Sequence, residues 1–246
     1  MATLHPGASS QPASRVVVRS LVCTTFERPP KNLVAAVARA EVTALSELVG
    51  RMYTMNHGVR ALAGPALPVT GVVTTAKCPP GDNLGLVKAL TLVQRGDVLV
   101  LDAQGFEHWC LGGFQLLEYA RDTRGLAGLV VNGAYRDVAE AQQARFPIYA
   151  TAIAPFSGPK AGPCEVNVPV CCGGVVVQPG DVVSASMEGV VVVPQRSLRR
   201  VVEALRRDKK SGRHSAEVVR RVFQLAEALD CDLLPSPGGP VGLNAV

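Results

Sequence analysis

The sequence predicts an α/β fold with mixed sheets and flanking helices, and three observations support this prediction. Short apolar runs bounded by glycine alternate with helix-like segments between residues 64 and 146. The stretch from Pro147 to Pro194 consists of short β-branched runs punctuated by glycine and proline. Two basic segments with helical periodicity follow it. We therefore expect an alternating half, a β-rich half and a helical end.

The composition is that of a globular protein, with 48% hydrophobic and 18% charged residues in a chain of 246. This length allows one large domain or two small ones, and the lack of an obvious linker favours a single domain with terminal appendages. Residues 1–14 are rich in Ser, Pro and Ala and predict a flexible tail. No apolar run reaches the roughly 18 residues of a membrane span, and the first residues carry no apolar signal core. We therefore expect a cytoplasmic protein that does not contact a membrane.

Periodicity and turn residues place the elements of the first half. In order, they are a strand at 16–23, a helix at 31–50, a strand at 64–78, a helix at 84–94, a buried strand at 97–102, a helix at 113–125, a strand at 125–131 and a helix at 137–146. Gly50 is expected to cap the carboxyl end of the first helix.

The net charge of +5 is concentrated near the end of the chain, where ten of the 25 basic residues lie between Arg196 and Arg221. Apolar residues recur there at helical spacing: Leu198, Val201, Val202 and Leu205, then Val218, Val219, Val222 and Leu225. The basic residues fall mostly on the complementary face, and no aromatic residues are interleaved for base stacking. This pattern favours a solvated helix face or a subunit contact over a nucleic-acid surface.

Several common chemistries lack their sequence signatures. Seven cysteines, an odd number without a Cys-x-x-Cys pair, predict reduced and mostly buried thiols. The four histidines show no zinc-type spacing, although a hard cation held by carboxylate and water remains open. The chain has no glycine-rich nucleotide loop and no Gly-x-Ser-x-Gly elbow, which argues against a nucleotide cofactor and against an α/β hydrolase.

The segment from Val131 to Glu140 is the strongest candidate for chemistry, because an apolar strand ends there with one cation and two carboxylates: Arg136, Asp137 and Glu140. Ligands of open α/β sheets bind beyond the carboxyl ends of the strands. A guanidinium at that place suits a carboxylate substrate. The competing interpretation is structural, with Asp137 capping the next helix and Glu140 completing a capping box.

Four segments together resemble the RraA-like family: GDNLGLVKAL, DVLVLDAQG with LGGFQLL, GLAGLVVNGAYRDVAE, and GPCEVNVPVCCGGVVVQPGDVVSASMEGVVVVP. The family includes class II 4-hydroxy-4-methyl-2-oxoglutarate/4-carboxy-4-hydroxy-2-oxoadipate aldolases and regulators of ribonuclease activity. The resemblance covers roughly residues 64–194. It implies a swivelling β/β/α-type core in a catalytic domain at 15–194, and a helical extension at 195–246 packed on the domain or on a neighbouring subunit. It also implies a homotrimer or homohexamer with an active site at the subunit interface.

The resemblance implies a role for each matching residue. Arg136 is similar to the arginine that binds the pyruvyl part of the substrate, and Asp137 to the aspartate that holds a divalent metal, Mg²⁺ or Mn²⁺. Glu140 occupies the trailing acidic place of the motif. The family's carboxylate-binding turn, whose backbone N–H groups receive the substrate, corresponds to Gly113, Phe114, Gln115 and Leu116. A loop-to-helix junction suits that task, because its unpaired N–H groups and the helix dipole attract anions.

Two departures from the family pattern matter. The spacing between Gly113 and Arg136 is about one residue longer than the family pattern, which affects the assignment of individual amides. Phe114 stands where acid-bearing members have a carboxylate, although glycine also occurs at that place. The proton-accepting group would then be a metal-bound water, Glu140, Glu107 or His108.

The resemblance implies a metal-dependent lyase that releases pyruvate from 4-hydroxy-2-oxo dicarboxylic acids, decarboxylates oxaloacetate, or does both. The alternative is a non-catalytic regulator that binds and inhibits a ribonuclease. Regulator-type sequences tend to lack the metal aspartate, so Asp137 favours the enzyme. Residues of a neighbouring subunit are expected to recognise the tail of the 2-oxo acid, and Glu47 and Glu188 are candidates.

Overall fold

The computed structural model describes residues 17–63, 69–211 and 215–229. The predicted tail at 1–14 lies outside these ranges. The strands are β1 Leu21–Val22, β2 Arg60–Ala63, β3 Val69–Lys77, β4 Asp97–Cys110, β5 Gly128–Tyr135, β6 Ile148–Ile153, β7 Glu165–Val166, β8 Val170–Cys172, β9 Val175–Val177, β10 Val182–Ser186 and β11 Gly189–Val193. The α-helices are α1 Lys31–Val37, α2 Val42–Val49, α3 Leu84–Leu90, α4 Phe114–Arg124, α5 Val138–Gln143, α6 Leu198–Ser211 and α7 Ser215–Glu227.

A large mixed sheet organises the molecule, in the order β1-β7-β3-β4-β5-β6-β2. The central strands β3, β4, β5 and β6 pair in parallel, whereas β10 pairs antiparallel with both β3 and β11. Because parallel strands point the same way, their carboxyl ends share one edge of the sheet. The predicted α/β class, with mixed sheets and flanking helices, is confirmed.

Alternate residues of the central strands belong to different apolar cores. Leu99 and Leu129 pack with α3, α4 and α5 in one core, while Val100 and Val130 pack with β8, β9 and β10 in another. Successive side chains of a strand point to opposite faces, so strands that are buried on both faces read as continuous apolar runs. A third core joins α1, α2 and the first turns of α6 to β10 and β11.

The predicted single helix at 31–50 is wrong, because the structure has two helices separated by residues 38–41. Val37 and Val42 are both buried but lie five positions apart in the sequence, which a continuous helix would not place on one stripe. The break lets both helices turn apolar faces to the third core. Gly50 does cap α2, with φ 74°, and its N–H donates to the Ser46 carbonyl.

Other boundaries differ as well. The predicted strand at 16–23 is a strand only at Leu21–Val22, and the helix predicted at 84–94 ends at Leu90. The strand predicted at 97–102 continues to Cys110, with register shifts against β5 after Asp102 and Phe106. These irregularities carry the chain outward at the carboxyl edge, where the candidate site lies.

By its contacts the chain forms two compact units, one up to Leu205 and one from Arg206 onward. In the first unit, the α6 residues Leu198, Val201 and Val202 are buried. In the second, the predicted apolar positions of α7 are exposed, from Val219 at 51% to Leu225 at 70%. No helix among the described residues combines the length and hydropathy of a membrane span.

Candidate active site

Arg136 and Asp137 directly follow β5 at the carboxyl edge of the parallel strands. Asp137 adopts the left-handed conformation, with φ 60° and ψ 36°, which aspartate tolerates better than most residues do. Its Oδ2 accepts a hydrogen bond from the Phe114 backbone N–H at 3.1 Å. The loop after β5 and the start of α4 are therefore joined through one carboxylate.

The capping interpretation of Asp137 is wrong. Asp137 occupies the N-cap position of α5, but its side chain makes no capping hydrogen bond. Glu140 is exposed in the first turn of that helix, and none of the hydrogen bonds among the described residues involves its carboxylate. The carboxylate of Asp137 thus contacts the start of α4 and does not cap α5.

Arg136 lies across the same carboxylate. Its Nε is 3.7 Å from Asp137 Oδ2, and its NH1 donates to the Pro155 carbonyl at 2.9 Å. The side chains of Arg136 and Asp137 are 39% and 32% exposed, so a ligand can reach both. The Arg136 Nε is nevertheless buried and has no partner among the described residues. A buried donor without a partner indicates an acceptor still to be supplied, such as a ligand or a water molecule.

Gly113 has no side chain because no space exists for one. A Cβ on Gly113 would lie 2.2 Å from Asp137 Oδ2 and 3.3 Å from Arg136 Nε. Its φ of −103° is open to any residue, so close approach and not backbone strain requires glycine here. The absence of a side chain at Gly113 therefore lets the Asp137 carboxylate pack directly against the backbone.

The predicted carboxylate-binding turn is only partly available. The Phe114 N–H is already used by Asp137, and the Leu116 N–H donates to the Gly113 carbonyl at 3.3 Å. Among the described residues, no hydrogen bond uses the Gln115 N–H. Gln115 lies in the first turn of an 11-residue helix, where an unpaired N–H favours an anion.

The side chain of Phe114 belongs to the core. It is 3% exposed, packs against Phe146 with ring centroids 5.8 Å apart, and lies under the Arg121 guanidinium. Glu107 and His108 are exposed on β4, and His108 packs edge-on against Phe106. Glu47 and Glu188 line two adjoining cavities that share Ser46 and Thr54.

Sequence reasoning missed two residues around Ser157, namely Cys110 and Asn83. Cys110 pairs with Ser157 through an isolated β-bridge, and its thiol lies within electrostatic range of Arg136 and Asp137. Burial raises the pKa of this thiol, and the Arg136 charge opposes that effect. Asn83 Nδ2 donates to Ser157 Oγ at 3.2 Å, and Asn83 Oδ1 is buried without a partner. Their sequence positions in a turn and in an aromatic stretch gave no signal.

Tyr135 was also missed, although it immediately precedes Arg136. It is fully buried, and burial raises the pKa of its hydroxyl well above the usual range. The hydroxyl donates to the Gly113 carbonyl at 3.0 Å.

Oxygen ligands of the kind that Mg²⁺ and Mn²⁺ prefer are present, but few come from side chains. Among the described residues, no group of three or more His, Cys, Asp and Glu side chains could hold a metal. Asp137 Oδ1 makes no hydrogen bond within the described ranges, whereas Oδ2 accepts one from the Phe114 N–H and lies 3.7 Å from Arg136 Nε. Because Mg²⁺ keeps several waters, one carboxylate together with substrate and water fits such an ion.

The fold and this site define an α/β protein whose candidate active centre lies at the carboxyl edge of its parallel strands. The chain belongs to the RraA-like family, described as Aldolase/RraA, whose model matches residues 34–192. The resemblance predicted from the sequence is thereby confirmed.

The names of similar proteins describe two kinds of function. A Halalkalibacterium halodurans protein named "Putative 4-hydroxy-4-methyl-2-oxoglutarate aldolase" is 36% identical over 135 residues, which cover 55% of this chain and 64% of that protein. The match thus spans slightly less than two thirds of that relative. The structure of the RNA-processing inhibitor RraA from Thermus thermophilis is 32% identical, with a TM-score of 0.57 over 63% of this chain and 93% of that one. A Streptomyces coelicolor protein, described as an unusual member of the RNase ES inhibitor RraA protein family, is 29% identical, with a TM-score of 0.61 over 83% of this chain and 100% of that one.

Proposed function

We propose that this protein is a divalent-metal-dependent lyase that cleaves 4-hydroxy-2-oxo dicarboxylic acids to pyruvate, decarboxylates oxaloacetate, or does both. One observation carries the proposal. The Asp137 carboxylate is held by the Phe114 amide above Gly113, while its Oδ1 and the neighbouring Arg136 Nε have no partner among the described residues. A carboxylate oxygen and a guanidinium N–H, each without a hydrogen-bond partner among the described residues, thus belong to adjacent residues.

The chemistry requires stabilisation of negative charge. When the C4 hydroxyl loses its proton, C4 becomes a carbonyl carbon, the C3–C4 bond breaks and its electron pair stays on the enolate of pyruvate, which is then protonated at C3. Loss of carbon dioxide from oxaloacetate leaves the same enolate. A divalent cation bound at Asp137 supplies Lewis-acid stabilisation of that charge. Arg136 adds a fixed positive charge beside it, which needs no reorganisation when the enolate forms.

The remaining groups divide binding from proton transfer. The free Gln115 N–H at the start of α4 is placed to receive a substrate carboxylate. Phe114 contributes its backbone only, so proton transfer falls to a water at the site or to Glu140, Glu107 or His108. Glu140 is the nearest of these in sequence, on the first turn of the helix that Asp137 begins.

The named aldolase relative supports this activity, and the family supports dependence on a divalent metal. The proposal includes a homotrimer or homohexamer with an interfacial site, in the cytoplasm, with a C-terminal extension from residue 195. In such an assembly a neighbouring subunit would supply recognition of the substrate tail.

The test is release of pyruvate from a small panel of 2-oxo acids, with Mg²⁺, with Mn²⁺ and with a chelator. We expect metal-dependent release from 4-hydroxy-2-oxo dicarboxylic acids or oxaloacetate, and none from the Asp137→Ala protein. Turnover that persists after chelation or after this substitution would contradict the proposal.

The second candidate is a regulator that binds a ribonuclease, which the similarity to the Thermus and Streptomyces inhibitors favours. It predicts that the protein captures a ribonuclease and inhibits it. Inhibition that survives Arg136→Ala, together with no pyruvate release from any acid of the panel, would reverse the order of the two candidates.

A further inference from the structure

The buried hydroxyl of Tyr135 is bound to a loop and not to its own sheet. Tyr135 ends β5, and its hydroxyl donates to the carbonyl of Gly113, 22 positions earlier in the chain. Gly112 also fits closely around it, since a Cβ on Gly112 would lie 3.1 Å from the hydroxyl oxygen. The hydroxyl is thus enclosed at the junction that precedes α4.

The Gly113 carbonyl and the Phe114 N–H are opposite ends of one peptide unit. The carbonyl accepts from Tyr135 at 3.0 Å, and the N–H donates to Asp137 Oδ2 at 3.1 Å. Because a trans peptide is planar, with its C=O and N–H pointing in opposite directions, fixing one end fixes the direction of the other. Tyr135 therefore aims the Phe114 N–H at Asp137.

Two hydrogen bonds hold the Gly113 carbonyl, and the one from the Tyr135 hydroxyl, at 3.0 Å, is shorter than the one from the Leu116 N–H, at 3.3 Å. Rotation about the backbone of Gly113 is cheap, because glycine has no Cβ and a wide range of allowed conformations. A rotation would turn the carbonyl oxygen towards the Asp137 carboxylate and replace attraction by repulsion. The position of Oδ2, and with it the direction of the free Oδ1, depends on the orientation of this single peptide.

We propose that Tyr135 is a positioning residue that orients the Gly113–Phe114 peptide and, through it, the Asp137 carboxylate towards a divalent cation. This inference rests on the proposed metal-binding role of Asp137. Removal of a group that orients a metal ligand through a hydrogen bond commonly lowers metal affinity by roughly 10- to 100-fold.

The experiment is titration of the purified full-length protein with Mn²⁺, followed by calorimetry or by the electron paramagnetic resonance of free Mn²⁺. Tyr135→Phe removes the hydroxyl and keeps the ring. Tyr149→Phe is the matched control, because Tyr149 is also buried, lies on the adjoining strand β6 and makes no hydroxyl hydrogen bond among the described residues. Urea unfolding of each variant separates a lost orientation from a lost fold.

We expect Tyr135→Phe to bind Mn²⁺ about tenfold more weakly and Tyr149→Phe to match the wild type. A purely structural role for the hydroxyl would lower stability and leave the Mn²⁺ affinity unchanged, and that result would overturn the inference. Asp137→Asn is titrated in parallel to separate the two proposals. If Asp137→Asn loses Mn²⁺ and Tyr135→Phe does not, only the positioning role is wrong. If Asp137→Asn keeps its Mn²⁺ affinity, the metal ligand is wrong and the positioning role fails with it.

Discussion

Two arginine–aspartate pairs lie at opposite edges of the central strands, and they differ in how completely the aspartate is bound. Asp97, at the start of β4, is 1% exposed and accepts both terminal nitrogens of Arg28 at 2.7 Å. It also accepts the Thr74 hydroxyl at 3.0 Å and the Gln94 N–H at 2.8 Å. This pair ties the segment before α1 to the sheet.

At the carboxyl edge, Asp137 accepts one backbone N–H and lies 3.7 Å from Arg136. The same two residue types are left with an unused carboxylate oxygen and an unsatisfied guanidinium N–H among the described residues. A saturated pair contributes to stability, whereas an open pair keeps its bonding capacity for a ligand. The comparison predicts that substitutions at the two edges will have separable effects.

The largest expected effect is on catalysis at the open pair. Arg136→Ala should lower kcat/KM for pyruvate release by about 10³-fold, because it removes the fixed cation that faces the developing enolate. The free energy of unfolding should change by less than about 1 kcal/mol, since the losses are one hydrogen bond to the Pro155 carbonyl and a partly exposed ion pair with Asp137. Steady-state kinetics and urea unfolding check the two parts. A large loss of stability alongside the loss of activity would mean that the open pair is also a structural anchor, so that the two edges do not differ as described.

The converse effect is expected at the saturated pair. Asp97→Ala should lower the free energy of unfolding by about 3 kcal/mol, because it leaves the Arg28 charge, the buried Thr74 hydroxyl and the Gln94 N–H without their acceptor. Urea unfolding measures the loss. The folded fraction should turn over substrate at the wild-type rate, and a protein of wild-type stability would show that this pair is not a structural anchor.

A smaller loss of activity than that of Arg136→Ala is expected when a side chain is added at Gly113. Gly113→Ala should reduce kcat/KM by about 100-fold, because its Cβ would displace the Asp137 carboxylate from a position 2.2 Å away. Gly128→Ala is the matched control, since the nearest atom to its Cβ would be 3.4 Å away, at ordinary contact distance. Identical kinetics for the two variants would contradict the close approach seen at Gly113.

The smallest effect concerns the thiols. Burial raises the pKa of Cys78 to about 12 and also raises that of Cys110, so both stay protonated at pH 8. Cys23 and Cys171 are exposed. Brief alkylation of the native protein at pH 8, read by peptide mass spectrometry, should label Cys23 and Cys171 and should spare Cys78 and Cys110 until urea is added. Rapid labelling of native Cys110 would mean that solvent reaches this thiol in the folded protein.

The sequence was sufficient for the fold class and for the motif that carries Arg136 and Asp137, because both are local patterns. Alternation of apolar runs and helical stretches predicted the parallel core, and the polar end of one strand indicated the candidate site. The prediction that most cysteines are buried is also confirmed for the described residues, in which four of the six cysteines are buried.

The parts that failed depend on contacts between distant segments. The break at 38–41 follows from how α1 and α2 pack on β10 and β11, which helical spacing alone does not show. The competing interpretation, in which Asp137 caps α5, is wrong because its carboxylate accepts a hydrogen bond from the Phe114 N–H, 23 positions away. Tyr135 and Asn83 were invisible for the same reason, since their partners lie 22 and 74 positions away.

In the proposed function, the open pair at the carboxyl edge holds a divalent cation through Asp137. The most direct measurement is Mn²⁺ binding to the wild type, to Asp137→Asn and to Glu140→Gln, a control that neutralises an exposed carboxylate of the same motif. We predict a single Mn²⁺ site per chain in the wild type and in Glu140→Gln, and none in Asp137→Asn. Undiminished Mn²⁺ binding by Asp137→Asn would contradict the claim.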